Sequence, residues 1–227
     1  MSDSGLSDPF PPLIQALHHQ PLLVVLRAEQ PLELVPRLTA LAALGLRHVE
    51  IAWQNHPRWV AQCLELRHVF PQLRLGAASV CSLPALQMVQ EAGLSFAMSP
   101  VLSPELWCEA RRSGLALVPG VYTPSEVQQA RALGCPAVKL FPASALGPHY
   151  WRQLRAPLGD LPFCIAAGGL RPADVLPWLD AGVEAVALGG GLDGPGGVEC
   201  LRSLLGRLPP SPPASAPPGS PLHQRLH

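Results

Sequence analysis

The chain has 227 residues, 48% of them hydrophobic and 14% charged, and its 16 basic and 16 acidic side chains cancel. At about 100–200 residues per domain this is one domain or two small ones, with too apolar a body to be disordered. The balance excludes the one-signed field that nucleic acids and anionic membranes select, so neither is an expected partner, while a local site for a compact anion stays open.

The opening MSDSGLSDPF is acidic and polar, unlike a signal peptide, and no apolar run nears the ~20 residues of a membrane span. A cytoplasmic protein is the expectation. Six cysteines stand at 63, 81, 108, 135, 164 and 200 with no C-x-x-C spacing. They read as small buried hydrophobes, and no metal ligand set is expected.

Residues 1–9 are expected to be loose. From 10 to 207 one unit repeats, a short apolar strand followed by an amphipathic helix. The first strand, Leu22–Leu26, ends in Arg27 and leads to a helix over 31–44. The second, His48–Ala52, carries Glu50, with a helix over 57–70. The third, Leu73–Ala77, runs on to Ser79 before a helix over 83–92. Ser95–Met98 ends at Ser99-Pro100, with a helix over 104–113. Ala116–Pro119 is followed by Gly120-Val-Tyr-Thr and a helix over 124–133. Ala137–Phe141 contains Lys139 and precedes a helix over 148–156. Phe163–Ala166 ends in Gly168-Gly169, with a helix over 172–181. Ala185–Leu188 ends in Gly189-Gly190-Gly191, with a helix over 196–206.

Prolines 31, 57, 84, 104, 124 and 172 suit first helical turns, and Ser103 and Thr123 suit N-caps. Glycines 45, 93, 114, 134 and 182 stand where a left-handed residue ends a helix. Residues 208–227 hold seven of the 28 prolines and predict a disordered tail. Eight βα units with strands apolar on both faces predict a single-domain α/β fold, a (β/α)₈ TIM barrel. An open doubly wound sheet is the competitor, but the Gly-x-Gly-x-x-Gly turn is absent after the first strand.

In such a barrel chemistry sits where strands end. Lys139 is the only Lys among 16 basic residues, and it lies inside an apolar strand. Burial of an amine favours its neutral, nucleophilic form; the bland alternative is a snorkelling or ion-paired Lys. Glu50 is a matching mid-strand carboxylate, either a proton shuttle or a structural ion-pair partner. The glycine pairs 168-169 and 189-190 fall where barrels bind phosphate through backbone N–H groups, though turn glycines would look the same. The five tryptophans read as helix packing rather than ligand stacking, with Trp53 the exception; His56 and His149 read as loop or cap residues.

The blocks Pro21-Leu-Leu-Val-Val-Leu-Arg27, Val49-Glu50-Ile51, Leu75-Gly-Ala-Ala-Ser79, Ser99-Pro100, Val118-Pro-Gly-Val-Tyr-Thr-Pro124, Val138-Lys139-Leu-Phe-Pro142, Ala167-Gly168-Gly169 and Leu188-Gly189-Gly190 occur in that order. Over about residues 12–205 the chain resembles the class I aldolases that cleave 2-dehydro-3-deoxy-6-phosphogluconate (KDPG) and, in many members, 4-hydroxy-2-oxoglutarate (KHG).

The resemblance implies a lyase of the Entner-Doudoroff type that is a cytoplasmic homotrimer, uses no cofactor or metal, and acts on a small keto-acid phosphate. It implies that Lys139 forms a Schiff base with the 2-keto group and that Glu50 moves protons with a water. Arg27 and Ser79 would hold the pyruvyl end, Pro100 and Phe141 would wall the amine, and Gly168, Gly169, Gly189 and Gly190 would hold the phosphate. Pyruvate leaves with glyceraldehyde 3-phosphate, or with glyoxylate from KHG. Many members have Arg where Gln54 stands, Thr for Ser79, Gly for Val101 and Ser for Gly191. The Phe141-Pro-Ala-Ser-Ala-Leu-Gly-Pro148 loop resembles relatives that cleave the galactonate epimer. Outside the aldolases, a phosphosugar isomerase or epimerase, or a barrel that senses a keto acid or phosphate, remains as an alternative.

Overall fold

A computed structural model describes residues 8–192 and 197–208. The expected tail at 208–227 falls almost wholly outside them, as do the first seven residues of the expected loose start.

In chain order the elements are α1 (Phe10–His19), β1 (Leu22–Leu26), α2 (Val35–Ala43), β2 (His48–Ala52), α3 (Trp59–Val69), β3 (Arg74–Ala78), α4 (Leu83–Glu91), β4 (Ala97–Met98) and α5 (Pro104–Arg112). Then come β5 (Leu117–Val118), β6 (Gly120–Val121), α6 (Pro124–Ala132), β7 (Ala137–Leu140), α7 (Tyr150–Gln153), α8 (Arg155–Leu158), β8 (Phe163–Ala167), α9 (Val175–Asp180), β9 (Ala185–Leu188) and α10 (Gly197–Leu205). All recorded pairings are parallel, in the order β5-β4-β3-β2-β1-β9-β8-β7-β6.

The two ends of that order, β5 and β6, are halves of one extended passage. Leu117 and Val118 pair with β4, and Gly120 and Val121 pair with β7. Pro119 lies between them, has no N–H to donate, and gives its carbonyl to the Lys139 amide at 2.8 Å. The strand therefore changes partner at the proline and the sheet closes on itself. The expected (β/α)₈ barrel is the observed fold, with its fifth strand cut in two rather than running unbroken over Ala116–Pro119.

Most of the helix signals act as read: Pro84, Pro104 and Pro124 stand in first helical turns, whereas Pro31 and Pro172 open 3-10 turns and Pro57 precedes α3, which begins at Trp59. Ser103 accepts from the Leu106 amide, and Thr123 forms a reciprocal capping box with Glu126. Glycines 45, 93, 114, 134 and 182 all have φ between 61° and 103°.

Three expectations need correction. The first is α1, for which the sequence predicts no element. Its Phe10, Leu13 and Leu17 are buried, the ring of its His18 lies edge-on to Phe163 at the start of β8, and the carbonyl of its Ala16 lies 3.2 Å from His48 Nε2 at the start of β2. The helix thus closes the barrel floor. The second is the single helix over 148–156, which is two one-turn helices, α7 and α8; Pro157, inside α8, can give no helical N–H. The third concerns the cysteines: Cys63, Cys135 and Cys164 are buried, but Cys81, Cys108 and Cys200 are exposed. Among the described residues no helix is long and apolar enough to cross a membrane.

Candidate active site

Register places the two chemical side chains. Glu50 on β2 pairs with Val25 on β1 and Gly76 on β3, and Lys139 on β7 pairs with Gly120 on β6 and Ile165 on β8. Both side chains point into the barrel and meet there, with Nζ 3.9 Å from Glu50 Oε2. The carboxylate is wholly buried and the Lys139 side chain is 7% exposed. At that distance the pair attracts without a hydrogen bond.

The two neighbouring inner positions are glycines, and there is a steric reason. A Cβ on Gly76 would come within 2.5 Å of the Phe96 ring, and one on Gly120 would collide with the Pro100 backbone. Pro100 and Phe96 fill the space that side chains would take, so the barrel interior narrows around the pair while leaving its end groups free. Sequence reasoning passed over Gly76, Gly120 and Phe96. The available signal was glycine inside an apolar strand, which marks close approach of another group.

Neither oxygen of Glu50 has a hydrogen-bond partner in the protein. Burial raises this carboxyl above its ordinary range, and the charges of Lys139 and then Arg27 oppose that rise. A buried carboxyl raised in this way, beside an amine, is a candidate for exchanging protons.

The other expected residues lie just past the strand ends. The Phe141 ring centroid lies 5.4 Å from Lys139 Nζ, within cation–π range. The same ring backs the Gly168 turn, where a Cβ would lie 2.8 Å from it. Gly168 and Gly169 have φ of 94° and 74°, open to glycine and strained for other residues. The Gly168 carbonyl accepts from the Ser144 amide at 3.1 Å, and the Ser144 hydroxyl lies against Gly169. Because Ala167 pairs with Ala187, the two glycine pairs leave adjacent strands at nearly the same height. Gly189 faces Val25, the neighbour of Glu50, and Gly190 opens a single 3-10 turn, Gly190–Leu192. Among the described residues no hydrogen bond joins Gly190 to the rest of the site.

Arg27 leaves β1 at the same rim, and its Nη2 donates to Ser79 Oγ at 3.2 Å. Ser79 has φ of 64°, the one non-glycine residue with positive φ among the described residues, a conformation that concentrates at functional sites. Gln54 is exposed and donates to the Ala28 carbonyl at 2.9 Å. Trp53 is only partly buried, packs against the core and has no partner for its indole N–H; the other four tryptophans are buried helix packing. His56 accepts from the Arg58 amide, and His149 precedes α7. Among the described residues no group of three or more His, Cys, Asp or Glu is arranged to hold a metal.

Known proteins resemble the chain along most of its length. The family model of KDPG and KHG aldolase matches residues 13–206. The 2-dehydro-3-deoxy-6-phosphogalactonate aldolase of Escherichia coli K12 is 30% identical over 76% of this chain and 84% of its own length. The KHG/KDPG aldolase of the same organism is 32% identical over 70% of this chain and 73% of its own. The solved 2-keto-3-deoxy-6-phosphogluconate aldolase of Zymomonas mobilis superimposes with a TM-score of 0.71 at 27% identity, covering 89% of this chain and 99% of that one.

Proposed function

This chain belongs to the KDPG and KHG aldolase family, and we propose that it is a Schiff-base aldolase that reversibly cleaves KDPG to pyruvate and glyceraldehyde 3-phosphate. The observation that carries the reading is the barrel's only lysine, buried at the centre and 3.9 Å from a wholly buried carboxylate.

In this reading the Lys139 amine adds to the C2 keto carbon and water leaves, forming a protonated imine. The C3–C4 bond then breaks. Its electron pair passes into the imine to give an enamine, and the C4 hydroxyl proton goes to Glu50. Protonation at C3 and hydrolysis release pyruvate and the free amine. The raised Glu50 carboxyl suits a group that takes and returns the same proton. Arg27 and Ser79 hold the carboxylate at one side of the rim, and Pro100 and Phe141 wall the amine. Gly168, Gly169, Gly189 and Gly190 present backbone N–H groups to the phosphate across the mouth. KHG, which would yield glyoxylate, fits the same pyruvyl half. A soluble homotrimer with no cofactor is the form expected from the family.

The galactonate epimer is the second reading. It is favoured by the coverage of the galactonate relative, which exceeds that of the KHG/KDPG relative. Both epimers require the same imine and differ only at C4.

Borohydride reduction with pyruvate, followed by peptide mapping, tests the common step. A pyruvyl adduct on the peptide holding Lys139, absent in Lys139→Met, is the expected result. A folded protein that gives no adduct returns the weight to a phosphate-binding barrel without imine chemistry. Comparing cleavage rates of the two epimers then decides the substrate.

A further inference from the structure

Arg27 is exposed at the rim, at the end of a long side chain whose fixing costs up to about 2 kcal/mol of rotamer freedom. Such a side chain grips an anion well only if its loop is held in advance. The loop after β1 is held by the segment after β2. Gln54 Nε2 donates to the carbonyl of Ala28, the residue after Arg27, at 2.9 Å. Farther along, Arg58 and Gln62 donate to Gln30 Oε1 at 2.8 and 2.9 Å, and the Leu32 amide donates to Gln62 Oε1 at 3.3 Å. The last three bonds fix the entry to the 3-10 turn at Pro31–Leu34. The Gln54 bond alone among these holds the backbone beside Arg27 itself. The guanidinium so anchored reaches Ser79, and its charge is felt at Glu50.

We propose that Gln54 is a positioning residue for substrate binding: through the Ala28 carbonyl it fixes the loop that aims Arg27 at the substrate carboxylate. The assignment rests on the reading of Arg27 as the carboxylate ligand and of Lys139 as the imine-forming amine, and it adds a role for a side chain that acts through the loop beside Arg27.

The test is imine trapping at varied pyruvate concentration in Gln54→Met, Arg27→Met and the double variant, with acetone as a neutral carbonyl. Gln54→Met keeps the side-chain length, removes the donor, and alters an exposed residue, so the fold is retained. It should raise the half-saturating pyruvate concentration about three- to tenfold, the worth of one hydrogen bond. The limiting trapping rate and the rate with acetone should stay unchanged. The double variant should be no worse than Arg27→Met, because one residue acts through the other.

Full additivity of the two substitutions, an unchanged pyruvate dependence, or equal slowing with acetone would overturn the role of Gln54 while leaving the aldolase reading intact. If the unsubstituted protein gives no adduct at all, the imine reading fails and this role falls with it.

Discussion

Glu50 is wholly buried, and in the proposed reaction it is the group that moves the proton. Its oxygens have no hydrogen-bond donor and its charge is balanced only by an amine at 3.9 Å and a more distant guanidinium. A carboxyl in that state suits a proton carrier better than a structural anchor. Glu50→Gln should lower the rate of aldol cleavage by about 10²–10⁴, the usual worth of a positioned acid–base group. Because burial raises this carboxyl, the acidic limb of the kcat profile of the unsubstituted protein should lie above the ordinary carboxylate range, and a profile with no such limb would remove Glu50 from the role. Ser79 offers a second test, because its strain and its function pull in opposite directions. Ser79→Gly relieves a left-handed residue and should stabilise the fold by about 1 kcal/mol. It also deprives Arg27 of its hydroxyl partner and should weaken pyruvate binding. Parallel denaturant melts and pyruvate titrations would show whether the two effects part in this way.

Strand β6 shows how an element serves the site. The break at Pro119 lets one passage bond to β4 below and β7 above, and it delivers Gly120 beside Lys139 with the Pro100 backbone pressed against it. Gly120→Ala has no room for its methyl and should destabilise the protein by about 1–3 kcal/mol, as overpacking does. The displaced β6 should also slow trapping at Lys139. A variant with unchanged melting temperature and trapping rate would show that the strand is free to move. The helix ends were readable because caps and C-terminal glycines are local: Ser103, Thr123 and Gly134 act within one turn of chain. The α1 helix was not readable in the same way. FPPLIQALHH carries two prolines and two histidines, and its helicity is secured by the floor of a barrel assembled from residues far along the chain.

At the scale of the whole molecule, the barrel is a tube with the candidate site at one end and a plug at the other. Two residues before Glu50 on the same strand face, His48 sits in the floor at 3% exposure with Nδ1 unpartnered. Burial lowers its pKa from 6.5 to about 4. The unfolded chain therefore takes up a proton that the folded one refuses. Stability present above pH 6.5 should be lost as pH falls toward 4, by roughly 3 kcal/mol over that window. Denaturant unfolding at a series of pH values should show this slope, and His48→Gln should flatten it. A slope that survives the substitution would assign the acid sensitivity elsewhere.

Periodicity and punctuation in the sequence determined the number of βα units, and with it the closed barrel, because eight two-faced apolar strands have few other ways to be covered. A solitary Lys inside one of those strands was legible for the same reason: an amine at a buried position is costly enough to need a cause. What the tertiary structure decided is which groups meet. The 3.9 Å approach of Glu50 to Lys139 depends on registers across a ring closed at Pro119. The spacing roles of Gly76 and Gly120 depend on Phe96 and Pro100 arriving from the next strand along. Gln54, which the sequence marked only as a missing cation, shows its use once folding sets it against Ala28. Such contacts join residues distant in sequence, and no local pattern encodes them.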